Sequence, residues 1–375
     1  MKRIFAGILV VAAMAVATAA AVRHVVMRRA AVSVEADTLP ASQVFRARLL
    51  FAGDVMAHMP QVAAARRNGR YGRYDFSRQF EYVKPLFAAA DRVIINLETT
   101  LSPEGPYAGY PAFRTPDELA YALRDAGVDM AVLANNHCCD RGIRGIRSTL
   151  AALDDVGIRH TGAFIDTLRH GADHPLRFEA GGIRFALFSY TYGTNGLPVP
   201  AGATVNRIDT VMMARDLAAV DRAETDCIVV CMHWGTEYER RPNRGQRMLA
   251  DFLRRCGADL IVGSHPHVIQ PCEYDSTHAV FYSLGNFVSN QRRRYCDGGL
   301  LAGVEVIKRI GRSGDPQRRP VSMRYAVQTT PVWVALPDYR ILPPEVGDTI
   351  ALSPFGRAAY ERFMADTREL LQKGV

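Results

Sequence analysis

Five apolar runs in this chain stop on a side chain able to hold a cation. Asp54 follows Leu49–Gly53, and Glu98 follows Val93–Leu97. Asn136 and His137 follow Met130–Asn135, and His233 follows Cys227–Met232. His265 and His267 follow Leu260–Ser264, with Pro266 fixing the backbone between them. Carboxylate, amide oxygen and neutral imidazole together suit a hard or borderline divalent ion, Mn, Fe, Zn or Mg. Two such ions roughly 3.5–4 Å apart can clamp a phosphate and lower the pKa of a bridging water. Each residue also has a plain reading. Asp54 after a glycine can cap a helix, Glu98 can be a solvated acid, Asn136 favours turns, and His233 can be a hydrogen-bonded core histidine. Five strand ends of ligand type in one chain favour the metal reading.

Such convergence needs parallel strands, because ligands sit at the carboxyl ends of open α/β sheets. The pattern supplies them. Short strands at Arg48–Ala52, Val93–Ile95 and Asp129–Ala134 alternate with helical spacing over Gln61–Arg67, Phe76–Ala90, Pro116–Ala126 and Ile143–Val156. Leu176–Glu179 and Ile183–Tyr190 flank Gly181-Gly182 as a hairpin. A helix at Thr210–Val220, a strand at Cys227–Met232, a helix at Gln246–Arg255 and a strand at Leu260–Val262 follow. Short strands over 279–284, 300–306, 323–328 and 332–335 come next, and Phe355–Gln372 closes as a helix. This predicts a layered sandwich with sheets inside and helices outside. The proline-rich loop 99–116 is long enough to act as a lid over a site, a solvated connection being the other reading, and 192–200 is a second Gly/Pro loop.

At 375 residues and 48% hydrophobic, the chain can bury a large core. Of the net charge of +8, five units sit on Lys2, Arg3, Arg23, Arg28 and Arg29, which leaves +3 for the rest. That excess is weak for a nucleic-acid binder, and no aromatic-and-basic stripe accompanies it. Residues 4–22 carry no charge and are about long enough to cross a bilayer as a helix. The reading favoured is an uncleaved anchor in residues 1–29, with the rest of the protein facing the periplasm or cell exterior. A cleaved signal peptide is the other reading, since Ala17-Thr18-Ala19 fits its pattern. The seven cysteines lack a CxxC pair, and a disulfide framework is not expected at this size.

The ordered segments GDVM, NLE, ANNHCCDRG, HWGTEYE, GSHPHV and YSLGNFVSNQ resemble the CapA family, linked to poly-γ-glutamate capsule synthesis. That family is similar to calcineurin-like metallophosphoesterases. The resemblance implies an α/β fold, a four-layer α/β/β/α sandwich, over residues 47–340, after a linker at 30–46 and before a helical extension at 341–375. It implies metal ligation by Asp54, Glu98, Asn136, His233, His265 and His267, with His137 assisting the leaving group and Asp54 part of the catalytic set. The chain departs from that superfamily in two places: Met56 stands where Asp-x-His would put an imidazole, and Glu98 replaces an aspartate. His58, two residues on, is a substitute donor only if the backbone turns.

Glu237 and Asp140 are candidates to orient imidazoles, although Asp140 before Arg141-Gly142 reads more readily as a surface acid. Asn135, Glu237, Asn286 and Arg292 are candidate substrate contacts. Ser283 and Gln291 could line the same cleft, though ordinary turns are the commoner role there, and Arg292–Arg294 could meet an anion, though a solvated charge run is commoner. The function expected is a membrane-anchored protein of capsule or envelope-polymer biosynthesis, with one or two divalent ions that hydrolyse or transfer a phosphoester or amide. The alternative is a non-catalytic subunit that binds anionic polymer within a polyglutamate synthesis complex. Expected partners are that polymer or its precursor and polyglutamate synthase subunits, with no nucleic acid.

Overall fold

A computed structural model describes residues 42–166, 170–171, 173–311 and 321–373. The apolar segment 4–22 and most of the linker lie outside the described residues. Among those described, no helix is long and apolar enough to cross a membrane. The chain divides into a small unit, Met1–Gln43 with Ile310–Val321, and a main unit, Val44–Arg309 with Ser322–Val375. The main unit carries the candidate residues.

Its chain order opens with strand β1 (Gln43–Val55), then helices α1 (Met59–Asn68), α2 (Ser77–Phe80) and α3 (Lys84–Ala88) and strand β2 (Arg92–Leu97). Next come α4 (Glu118–Ala126), β3 (Met130–Val132), α5 (Gly142–Asp155) and β4 (Arg159–Thr161). The hairpin β5 (Leu176–Ala180) and β6 (Ile183–Thr191) leads to α6 (Thr210–Ala218), β7 (Cys227–His233), α7 (Arg244–Arg255) and β8 (Leu260–Ser264). The last third contains β9 (Cys272–Tyr274), β10 (Ala279–Phe281), β11 (Asn286–Val288), β12 (Gly298–Ile310), β13 (Val321–Ala335), β14 (Arg340–Leu342) and α8 (Pro354–Lys373).

One sheet runs β14-β13-β12-β1-β2-β3-β4, with β11 also paired to β1. The other runs β9-β10-β8-β7-β6-β5. In the first, β1, β2, β3 and β4 run parallel to one another. In the second, β6, β7 and β8 are parallel, in register at Thr191, His233 and Ser264. All candidate donors therefore leave strands at the carboxyl end.

Period-two alternation sorts these strands into layers. In β7, Cys227, Val229 and Cys231 join a core shared with Leu49 and Phe51 of β1 and Ile94 of β2. The intervening Ile228, Val230 and Met232 pack on Met213 and Leu217 of α6 and Leu253 of α7. On the far side of the first sheet, Val93, Ile95 and Leu97 meet Val62, Phe80, Leu123 and Leu150 from α1, α2, α4 and α5. The order is helix, sheet, sheet, helix, the four layers expected. Each fully buried aliphatic or phenyl group contributes roughly 1.5–3 kcal/mol by area. The closing helix α8 adds Tyr360, Phe363, Met364 and Leu370 to the core between the sheets.

Local differences from the sequence reading have local causes. The helix expected over Phe76–Ala90 is two short ones, because Pro85 has no N–H to donate to Glu81. Its buried face still carries Phe76, Phe80, Val83 and Phe87. The two strands expected over 323–335 are the single strand β13, running through Pro331. On the β14 flank only Trp333–Ala335 are paired, so Pro331 lies beyond the end of that ladder.

Gly53 lets the chain after β10 reach the site. A Cβ there would lie 2.0 Å from the Gly285 carbonyl oxygen, which accepts from the Asp54 N–H at 3.0 Å. Gly53→Ala must push the two backbones apart, and we expect a loss of about 3 kcal/mol from overpacking. Urea midpoints of the two proteins measure it; a loss below about 1 kcal/mol, the lower end for overpacking, contradicts the close approach.

Candidate metal centre

Asp54, the penultimate residue of β1, is fully buried. Its Oδ1 accepts from Asn96 Nδ2 at 2.7 Å, and its Oδ2 lies 3.0 Å from His267 Nδ1. Burial alone would raise this carboxyl, yet the His267 hydrogen bond and charge, with Asn96, hold it below the ordinary aspartate value. Glu98, just past β2, is equally buried. Burial, and then the neighbouring Asp54 charge, push it well above the usual glutamate range.

The second sheet supplies imidazoles. His233 Nε2 lies 2.9 Å from Asn136 Oδ1 and 3.6 Å from Glu98 Oε1. His267 Nε2 lies 3.8 Å from the same Glu98 oxygen. The rings of His233 and His265 are 4.9 Å apart. Burial and facing imidazoles hold His265 down to about 3 and His233 well below the ordinary value. Both rings are therefore neutral at physiological pH, the form that ligates. His265 and His267 adopt φ of +100° and +57°. Such backbone is uncommon outside glycine and marks positions the surrounding fold dictates.

Among the described residues, three groupings of donor atoms fall within 4.8 Å of one another: Asp54, Glu98 and His267; Glu98, His233 and His265; and Glu237, His265 and His267. Glu98 Oε1, His265 Nδ1 and Asn286 Oδ1 are buried without a hydrogen-bond partner. A buried acceptor left bare costs about 1–3 kcal/mol, and a divalent ion would satisfy the carboxylate and the imidazole together. Oxygen and nitrogen donors of this mix fit Mn, Fe, Zn or Mg.

His137 stands beside these donors but is held differently. Its Nδ1 lies 2.8 Å from Asp140 Oδ2, which also accepts from the Phe113 N–H at 2.6 Å. The Phe113 ring packs edge-on against His137 at 4.8 Å. The Asp140 side chain is 1% exposed and faces His137 rather than solvent; a loop 27 residues upstream covers it. The loop 99–116 packs against His137 and His58 through Phe113, and exposed Tyr110 sits 6.4 Å from the His137 ring.

Other sequence candidates take structural positions. Asn135 is fully buried; its amide donates to Leu97 O and Asn96 Oδ1 and accepts from the His137 N–H, so it joins two strand ends rather than facing open space. Asn286 donates to His267 O, Gln291 Oε1 and Cys296 O, beneath Asp54. Ser283 donates to Val268 O and accepts from the Gly285 N–H, an ordinary turn. Arg292 donates to Val334 O and Ser289 O, and Arg294 pairs with Asp366 at 3.0 Å. Arg293 stacks over Tyr238, whose ring is 6.3 Å from that of His267. His58 caps α1 and accepts from the Asn290 N–H, outside all three donor groupings. Burial holds it down to about 4.

Sequence reasoning passed over Asn96, Tyr192 and Asn195. Asn96 touches Asp54, Glu98 and His233 at once. Its position two residues before Glu98, on the same strand face, was the available signal. Tyr192 covers His265 with rings 4.5 Å apart, and Asn195 accepts from Asn136 Nδ2. Both come from the 192–200 loop, where no short-range pattern marks them.

The chain matches the model of the family described as bacterial capsule synthesis protein PGA_cap over residues 48–291. It is 31% identical over 218 residues to the PGA biosynthesis protein CapA of Bacillus subtilis, covering 56% of this chain and 57% of that one. It is 30% identical over 257 residues to the capsule biosynthesis protein CapA of Bacillus anthracis, covering 64% of this chain and 59% of that one. The aligned part thus spans under two thirds of either relative. Among solved structures, a 5′-nucleotidase from Candida albicans is similar at 12% identity and a TM-score of 0.41, covering 86% of this chain and 57% of that one.

Proposed function

We propose a function from one premise: the chain belongs to the bacterial capsule synthesis protein PGA_cap family. On this reading it is a divalent-metal hydrolase or transferase in the making of a cell-envelope polymer of poly-γ-glutamate type. It breaks or passes on a phosphoester or amide of that polymer or its activated precursor. The observation that supports this most is the convergence of Asp54, Glu98, Asn136, His233, His265 and His267 around a carboxylate oxygen and an imidazole nitrogen without hydrogen-bond partners.

One or two divalent ions there would supply Lewis-acid polarisation and a water of lowered pKa. Asp54, Glu98 and His267 would hold one position, and Glu98, Asn136, His233 and His265 the other. Asn96 fixes the Asp54 carboxylate. His137 gives a proton to the departing oxygen or nitrogen, and Asp140 fixes which ring nitrogen faces it. Loops 99–116 and 192–200, through Phe113 and Tyr192, shield the donors from bulk water. Residues 4–22 anchor the protein in the membrane, with the site facing the periplasm or cell exterior. Polyglutamate synthase subunits are the partners, and they handle any nucleotide, since the chain carries no P-loop motif.

The test is turnover by the full-length, metal-loaded chain on a panel of phosphoesters and on poly-γ-glutamate. Asp140→Ala should lower kcat by about 100-fold, the lower end of what general acid–base catalysis contributes, with little change in bound metal. Equal turnover by chelated and loaded protein overturns the metal-dependent reading, and no turnover by the loaded protein leaves a polymer-binding subunit.

A further inference from the structure

The three donor groupings are linked pairwise. Glu98 belongs to the first two, His265 to the last two, and His267 to the first and third. Two of them are wholly buried. The third includes Glu237, which is exposed at the mouth. The grouping of Glu98, His233 and His265 gains a fourth donor in Asn136 Oδ1, already 2.9 Å from His233 Nε2. Beside the grouping of Asp54, Glu98 and His267 stands Asn286, in register with Asp54 and with a buried Oδ1 that lacks a hydrogen-bond partner, whereas the grouping of His265 and His267 is completed by Glu237.

We infer that Glu237 is itself a metal ligand, reaching from the solvent side the donor space it shares with His265 and His267. This rests on the metal reading above and deepens it. The backbone around Glu237 is held in place. Gly235 turns the chain at φ +90°, and the Tyr238 N–H donates to Pro266 O at 2.8 Å, between the two histidines. Gln270 Nε2 donates to Glu239 O at 2.8 Å and to Arg241 O at 3.3 Å. The segment is thereby stapled on both sides to the turn that carries His265 and His267. A solvated acid has no need of such fixing.

Charge balance points the same way. Asp54 and Glu98 bring two negative charges, which one divalent ion neutralises. Adding Glu237 brings a third beside neutral imidazoles, and like carboxylates this close repel unless cations intervene. Two divalent ions leave the centre with net positive charge, suited to an anionic substrate. A single ion leaves it negative. His265 Nδ1, buried and without a partner, is a further donor beside the same space.

The experiment is titration of the metal-stripped full-length protein with Mn²⁺, followed by calorimetry and by electron paramagnetic resonance. The wild type should take up about two equivalents and show the exchange-coupled signal of a Mn pair. Glu237→Gln should keep one tight equivalent and weaken the other by at least about 10-fold, with the signal of an isolated ion. Glu237→Asp should recover part of the loss. Glu237 is exposed, so the metal-free variants should melt with the wild type. Two unweakened equivalents in Glu237→Gln overturn this inference alone. A wild type that takes up no Mn²⁺ overturns the metal reading beneath it.

Discussion

His265→Ala will be isolated with less metal than the wild type, and its affinity for added Mn²⁺ will fall by more than about 100-fold. The size follows from position. His265 is a donor in two of the three groupings, with Glu98 and His233 and with Glu237 and His267, so its loss opens both of these at once. Removing a partner that merely orients a ligand already costs about 10–100-fold in affinity, so removing the ligand costs more. Water is a poor replacement, because Tyr192 and His233 close over the ring at 4.5 and 4.9 Å. Burial keeps the wild-type imidazole at about 3, so protons do not compete for it anywhere in the neutral range. The wild-type affinity should therefore show no step near about pH 6.5 from this ring. His265→Asn, which keeps a polar group and tolerates positive φ, controls for the φ of +100° that alanine would inherit. Elemental analysis and calorimetry on both variants decide the matter. Unchanged stoichiometry and affinity in both would remove His265 from the centre.

The legible part of this site was the part built by strands. A short apolar run that stops on Asp54, Glu98, His233 or His265 carries its message in sequence, because a parallel sheet places all such ends on one edge. The layers were legible for the same reason: the unbroken apolar run of Cys227–Met232 says that both faces are buried. The hidden part was built by loops. Phe113 reaches His137 and His58 from a proline-rich stretch without period, and Tyr192 and Asn195 come from another. Nothing local distinguishes Asp140 from a surface acid until the 99–116 loop folds over it. In Arg292–Arg294, open between an anion contact and a solvated charge run, two of the three hold carbonyls or a carboxylate of their own chain.

Glu98→Gln should make the metal-free protein more stable and the metal-loaded protein less responsive to metal. Glu98 has a folded-state value well above its ordinary 4.5, because it is buried and faces Asp54. The folded chain therefore holds this proton more tightly than the unfolded chain. The stability this contributes is complete below about pH 4.5 and declines as pH rises toward the folded value, by at most about 1.4 kcal/mol per pH unit. Asp54 acts in the opposite sense and in a lower window. Its folded value is depressed below 3.8, so it stabilises above that pH and fails only in acid. At neutral pH the Glu98 penalty stands alone, and the amide introduced by Glu98→Gln removes it while keeping the side chain's shape. An unpaired buried polar group costs about 1–3 kcal/mol and a charged one more, so metal-free Glu98→Gln should exceed the wild type by about 2 kcal/mol or more at about pH 7. The difference should shrink on acidification toward about pH 4.5. Saturating metal reverses the order. The wild type gains about 2.7 kcal/mol at about a hundred times Kd, whereas the variant lacks the carboxylate charge common to both ion positions and gains little. Urea melts of chelated and Mn²⁺-loaded proteins at about pH 5 and about pH 7.5 test all of this. A chelated variant less stable than the chelated wild type at the higher pH would mean that the Glu98 carboxylate is satisfied by the protein itself, and the case for a cation beside it would fall.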